Sequence, residues 1–138
     1  MLEGKKADKH FQHKMLISSK GFSFCYIEKL HTTADFNRVL KYGKKLKTIF
    51  VDICVFNRKD NNEIRRFGLV TSKKVGSAVC RNRAKRRLRE IFRINKHKLL
   101  SSLDIIFVLK PQISSVRYGE LKVVVLESLK NAKFYRDI

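Results

Sequence analysis

Acidic residues are scarce in this chain: 12 Asp and Glu stand against 32 Lys and Arg, giving a formal net charge of +20 and a pI near 10.3. An imbalance of this size points to a polyanionic partner, nucleic acid first and an anionic membrane surface second. Long apolar runs are also missing. The longest, such as residues 105–109 and 123–126, are far too short to span a bilayer, which excludes a transmembrane segment. Residues 15–27 (MLISSKGFSFCYI) are moderately apolar behind a basic start, but Lys20 interrupts them and no small-residue cleavage site follows cleanly, so they are not read as a signal peptide. Cysteine is sparse and odd in number. Cys25, Cys54 and Cys80 lie far apart with no C-x-x-C pair and no nearby His, which argues against a disulfide framework and a zinc site and fits a reducing, cytoplasmic setting. His10, His13, His31 and His97 are scattered, and neither paired carboxylates nor a metal-ligand cluster lies near the most basic segment. Hydrolysis by the protein's own side chains therefore has no support in the sequence, and no catalytic residue is assigned.

What is present is enough for one compact core: 138 residues, 43% of them hydrophobic. Residues 1–28 mix Lys, His, Ser and Gly without a sustained period and read as a basic, flexible N-terminal extension, leaving 29–138 as the domain. Thr32 or Thr33 is a plausible N-cap for a short helix with Asp35 in its first turn, Phe36, Val39 and Leu40 on one face, and Gly43 as its stop. Residues 50–56 (FVDICVF) and 66–71 (RFGLVT) read as strands joined by a hairpin loop at 57–62. A helical period runs from Ser77 to about Asn95, residues 104–110 form a buried strand stopped by Pro111, and Leu121, Val124, Val125, Leu129 and Ala132 mark a closing helix. The expected fold class is α/β (α+β): a single-domain sandwich of helices on a mixed, mostly four-stranded sheet in the order α-β-β-β-α-β-α, of whose strands three can be placed.

The helix over residues 77–95 carries the functional signal. Between Arg81 and Arg93 stand seven basic residues and one acid. A helical projection turns Cys80, Ala84, Leu88, Ile91 and Phe92 inward and gathers Asn82, Arg86, Arg89 and Arg93 on the opposite face, flanked by Arg83 and Lys85. Like charges packed this closely repel one another unless a polyanion supplies the counter-charge. A mixed-charge face would read as merely solvated; this one reads as a phosphate-contacting surface. Arginine's planar fork bridges phosphate oxygens and stacks on bases, which favours structured nucleic acid over a diffuse lipid surface.

The string Arg81-Asn82-Arg83-Ala84-Lys85-Arg86 with Arg89, preceded by Gly68-Leu69-Val70-Thr71-Ser72-Lys73-Lys74-Val75-Gly76, resembles the RNR motif and preceding strand and turn of the bacterial ribonuclease P protein family. Lys29-Leu30, Asp35-Phe36 with Val39 and Gly43, and Asp104-Ile105-Ile106 resemble that family's opening, first helix and fourth strand, so the likeness covers roughly residues 29–133. It implies a subunit that binds a catalytic RNA through Lys73, Lys74, Arg81, Asn82, Arg83, Lys85, Arg86 and Arg89. It also implies that the single-stranded 5′ leader of precursor tRNA lies in a cleft lined by Phe36, Leu40 and Cys54. The family usually has aromatics where this chain has Leu40 and Cys54. Further implications are a left-handed strand-helix-strand crossover, chemistry carried by the RNA, Mg2+ serving the holoenzyme with no cofactor bound tightly by the protein, and no membrane partner. A ribosomal-type structural RNA-binding protein would share the charge and fold class without the lysine-pair and RNR spacing. A cationic membrane-active protein would need an exposed apolar face beside the basic one.

Overall fold

The computed structural model describes residues 28–60 and 62–136, so the expected N-terminal extension lies outside the described residues apart from Glu28. Helix α1 (Thr33–Tyr42) starts where Thr32 Oγ1 accepts the Asp35 amide at 3.0 Å and ends where the Gly43 amide donates to the Val39 carbonyl at 2.8 Å. The other elements are β1 (Lys44–Lys47), β2 (Val51–Asn57), β3 (Arg66–Val70), α2 (Ala78–Asn95), β4 (Leu103–Leu109) and α3 (Tyr118–Asn131). Short 3-10 turns precede α2 (Lys73–Val75), follow it (Lys96–Lys98) and precede α3 (Pro111–Ser115). The order α-β-β-β-α-β-α and the four-stranded mixed sheet agree with expectation.

The strands lie in the order β1-β2-β4-β3, with β2 antiparallel to β1 and β4, and β3 parallel to β4. The hairpin expected at residues 57–62 does not form, because β4 inserts between β2 and β3. Its run LDIIFVL is buried on both faces, a pattern suited only to an interior place, whereas β3 is half-exposed at both ends and sits at the edge. The hairpin is instead β1–β2, where Thr48 Oγ1 accepts the Val51 amide at 3.1 Å. Lysine-rich β1 (KKLK) has no strand pattern of its own; its pairing with β2 makes it one. Because β3 and β4 are parallel neighbours, α2 is the crossover that parallel pairing requires.

Alternation along the strands divides the core in two. Ile53, Val55, Ile105 and Phe107 point to the face covered by Ala84, Leu88, Ile91 and Phe92 of α2 and Leu121, Val125 and Leu129 of α3. Phe67 of β3 stacks on Phe92 with ring centroids 4.9 Å apart. Cys54 and Ile106 point to the other face, beneath Val39 of α1, with Phe36 and Leu40 packed at the margin. The two layers thus hold α2 and α1 on opposite sides of one sheet, rigidly related through it.

Candidate nucleic-acid interface

Helix α2 is preceded by a turn built for exposure. Lys73 and Lys74 occupy the exposed 3-10 turn, and Gly76 follows with φ +132°, a conformation that only glycine adopts without strain. Ser77 then caps the helix, its Oγ accepting the Cys80 amide at 3.3 Å. The inward stripe is the predicted one, with Ala84, Leu88, Ile91 and Phe92 buried and Cys80 half-buried. On the other side Asn82, Arg83, Arg86 and Arg89 are exposed, and Arg81 and Lys85 half-buried. Among the described residues no carboxylate is ion-paired with any of these cations.

Two arginines of the helix are committed elsewhere. Arg93, which the projection groups with Asn82, Arg86 and Arg89, is paired with Glu90 three residues earlier through bonds of 3.0 and 2.5 Å. That contact holds the Glu90 carboxyl below its usual range. The one acid of the segment therefore neutralises the last arginine and leaves the first turns uncompensated. Arg87 donates to the Val116 carbonyl at 2.8 Å, tying α2 to the segment before α3.

On the opposite sheet face, Phe36 is half-buried and its ring lies against Gly68 of β3: a Cβ there would sit 2.5 Å from Phe36 Cζ. Gly68 is thus the seat of the ring. Leu40, one turn on, is half-buried and packs against the small core of Leu30, Val39, Cys54 and Ile106. Cys54 is different: at 2% exposed it lies beneath α1, and burial pushes its thiol pKa up, against the influence of nearby Lys45. Of the three expected cleft residues, Phe36 and Leu40 reach the surface and Cys54 forms the floor under them. A groove of about 380 Å³ at the β3 edge is lined by Lys29, Leu30, Phe36, Gly68, Leu69 and Arg89. The fold therefore brings Phe36 and Arg89 onto one groove, although they come from helices on opposite sheet faces.

A second set of residues escaped the sequence reading. Asp104, fully buried at the start of β4, accepts from Arg58 Nη1 at 2.5 Å and from Arg66 through a fork of 2.8 and 2.7 Å. Arg66 also reaches Asp35 of α1 at 3.5 Å. This chain of charges locks β3, β4 and α1 together beside Phe36. The sequence signal was an acid opening an otherwise apolar strand; its partners were not predictable from spacing. Among the described residues no three His, Cys, Asp or Glu side chains gather as a metal site. Asp35, Asp52, Asp60, Glu90 and Asp104 are each committed to an arginine or lysine, so this donor set does not fit a divalent ion.

Comparison with known proteins bears on the whole arrangement. The sequence profile of the family described as Ribonuclease P matches residues 24–133. The ribonuclease P protein component of Alkaliphilus metalliredigens is 33% identical over 105 residues, covering 76% of this chain and 93% of that protein. That of Dictyoglomus thermophilum is 34% identical over 113 residues, covering 80% and 92%. Among solved structures, the Staphylococcus aureus RNase P protein superposes with a TM-score of 0.71 at 29% identity, covering 79% of this chain and 98% of its own. The Thermotoga maritima RNase P protein does so at 0.66 and 30% identity, covering 75% and 96%. Fold, motif and relatives agree, and the chain belongs to the ribonuclease P protein family, the protein component of the endoribonuclease that processes tRNA.

Proposed function

We infer that this chain binds the RNA subunit of ribonuclease P through the exposed face of α2 and its Lys73–Lys74 turn, and holds the 5′ leader of precursor tRNA beside α1. The observation that carries this reading is the row of exposed Asn82, Arg83, Arg86 and Arg89, whose arginines have no ion-paired carboxylate among the described residues and which reaches through Arg89 the same groove as Phe36. Counterion release from RNA supplies the driving force at such a face, and an aromatic edge supplies sequence-tolerant stacking to a single strand. The protein acts by positioning and charge neutralisation. Hydrolysis and the Mg2+ that assists it are assigned to the RNA subunit, since the carboxylates nearest the groove and the basic helix, Asp35, Asp60, Glu90 and Asp104, are each paired with an arginine. The RNA partner and the free thiols of Cys54 and Cys80, which suit a reducing compartment, point to the cytoplasm. No helix among the described residues is long and apolar enough to cross a membrane, and the apolar faces of α1, α2 and α3 are spent on the core. The ribosomal-type alternative gives no account of the Phe36–Arg89 groove.

Phe36→Leu tests the leader half of this reading, because leucine keeps most of the apolar fill over Gly68 while removing the ring. The expected outcome is a loss on the order of 1 to 3 kcal/mol in precursor affinity, the scale of one base-aromatic contact, with mature tRNA bound as before. Paired titrations of the two tRNAs against wild-type and variant holoenzyme check it. Equal losses for both tRNAs would remove Phe36 from the leader site.

A further inference from the structure

We propose that the lysine-rich edge strand β1 is a second phosphate-binding surface, which holds the backbone of the precursor's leader after it has passed α1. This rests on the leader reading above and extends it to residues outside the RNR helix and the α1 contacts. The sheet register sets out the path. Gly68, Ile106, Cys54 and Lys45 stand in one row across the four strands, and α1 covers the first three. The next row on the same face is Val70, Val108, Asp52 and Lys47. In this row Val70, Val108 and Asp52 remain half-exposed and Lys47 is exposed, so it forms an open floor beside α1. At ordinary strand spacing the row runs about 14 Å from β3 to β1. That is roughly the length of four stacked nucleotides.

The chemistry changes along that floor. It begins apolar at Val70 and Val108, which pack against the same small core as α1, and ends among cations. Lys45 and Lys47, the two β1 lysines on this face, are both exposed, and among the described residues neither is ion-paired. The acid opposite Lys47 in the register, Asp52, is matched by Lys110 at 3.0 Å, so it does not neutralise the edge. Tyr42, 67% exposed at the end of α1, places an aromatic ring just before these lysines. Alternating aromatic and basic groups along a groove are the means by which single strands are held without base readout. Lysines on an edge strand also guard against pairing with another sheet, and that role alone would leave RNA binding unaffected by their removal.

The test uses holoenzyme reconstituted with ribonuclease P RNA and the double variant K45Q/K47Q, whose substitutions fall on exposed side chains outside the core. It compares mature tRNA, a precursor whose short leader ends beside α1, and a precursor with a leader several nucleotides longer. The expected result is a several-fold loss of affinity for the long-leader precursor alone. Its log-log salt slope should fall by about 1.4, from roughly 0.7 per single-strand phosphate contact. Unchanged affinity for all three ligands would overturn the proposal and leave the lysines as an edge guard. An equal loss for all three would also overturn it and direct the lysines to the tRNA body or the RNA subunit. The Phe36→Leu variant separates these failures from that of the leader reading, since it should weaken both precursors whatever β1 does.

Discussion

Replacing Arg86 and Arg89 by alanine is expected to weaken binding to ribonuclease P RNA by roughly fifteen- to thirtyfold at ~0.15 M salt. The figure comes from counterion release at slopes of about 0.7 to 0.9 per phosphate contact, which makes each contact worth about four- to fivefold at that ionic strength. Both side chains are exposed and lie outside the buried stripe of Ala84, Leu88, Ile91 and Phe92, so the melting curve should hardly move. The log-log slope of affinity against salt should fall by roughly 1.4 to 1.8 for the pair. A salt titration of wild type and double variant reads both quantities. An unchanged slope would take this face out of the interface, whatever the affinity at one salt concentration.

The largest effect on stability is expected at Asp104. Its carboxylate is fully buried and accepts from Arg58, whose side chain is 9% exposed, and from Arg66. Asp104→Ala would strand two partly desolvated guanidinium groups, and removing one partner of a buried charge cluster costs about 3 to 5 kcal/mol. For a domain of this size each kcal/mol is worth about 4 °C or more in Tm, so a drop on the order of 15 °C is expected. Part of the loss is local. Arg58 also donates to the carbonyls of Asn62 and Ile64 at 3.2 and 2.5 Å, so the loop between β2 and β3 should loosen with it. Denaturant unfolding of Asp104→Ala against wild type checks this, and a cost under about 1 kcal/mol would mean that the arginines find water without difficulty.

These two sites differ in how much of them the sequence displays. The face of α2 is legible because helical geometry alone decides which residues share it: the inward stripe and the exposed Asn82, Arg86 and Arg89 follow from a period of 3.6. Arg93 shares that face by projection, but a projection shows direction and not partners, and Glu90 three residues earlier pairs with it. The cap at Thr32, the stop at Gly43 and the helix start at Ser77 were legible for the same local reason. Strand order was not. Which of β3 and β4 lies beside β2 depends on which can be buried on both faces, a property of the assembled sheet, and so the local turn signal at 57–62 suggests a hairpin that the sheet does not contain. Strand β1 is the extreme case, since KKLK becomes a strand only by lying along β2. Long-range contacts hid the rest of the site. The Asp104 cluster spans sequence separations of 38 and 46 residues. The seat of Phe36 on Gly68 and the burial of Cys54 beneath α1 likewise needed the packed sheet to be seen.

The central claim is that this chain serves a catalytic RNA and does not itself cut. The most direct measurement is 5′ processing of a leader-bearing tRNA by the purified protein, by ribonuclease P RNA, and by the two together at low magnesium, where charge neutralisation by the protein matters most. The account predicts no site-specific cleavage by the protein alone and a marked gain when it joins the RNA. Site-specific cleavage that survives complete nuclease removal of copurifying RNA, or a holoenzyme no better than the RNA by itself, would contradict it.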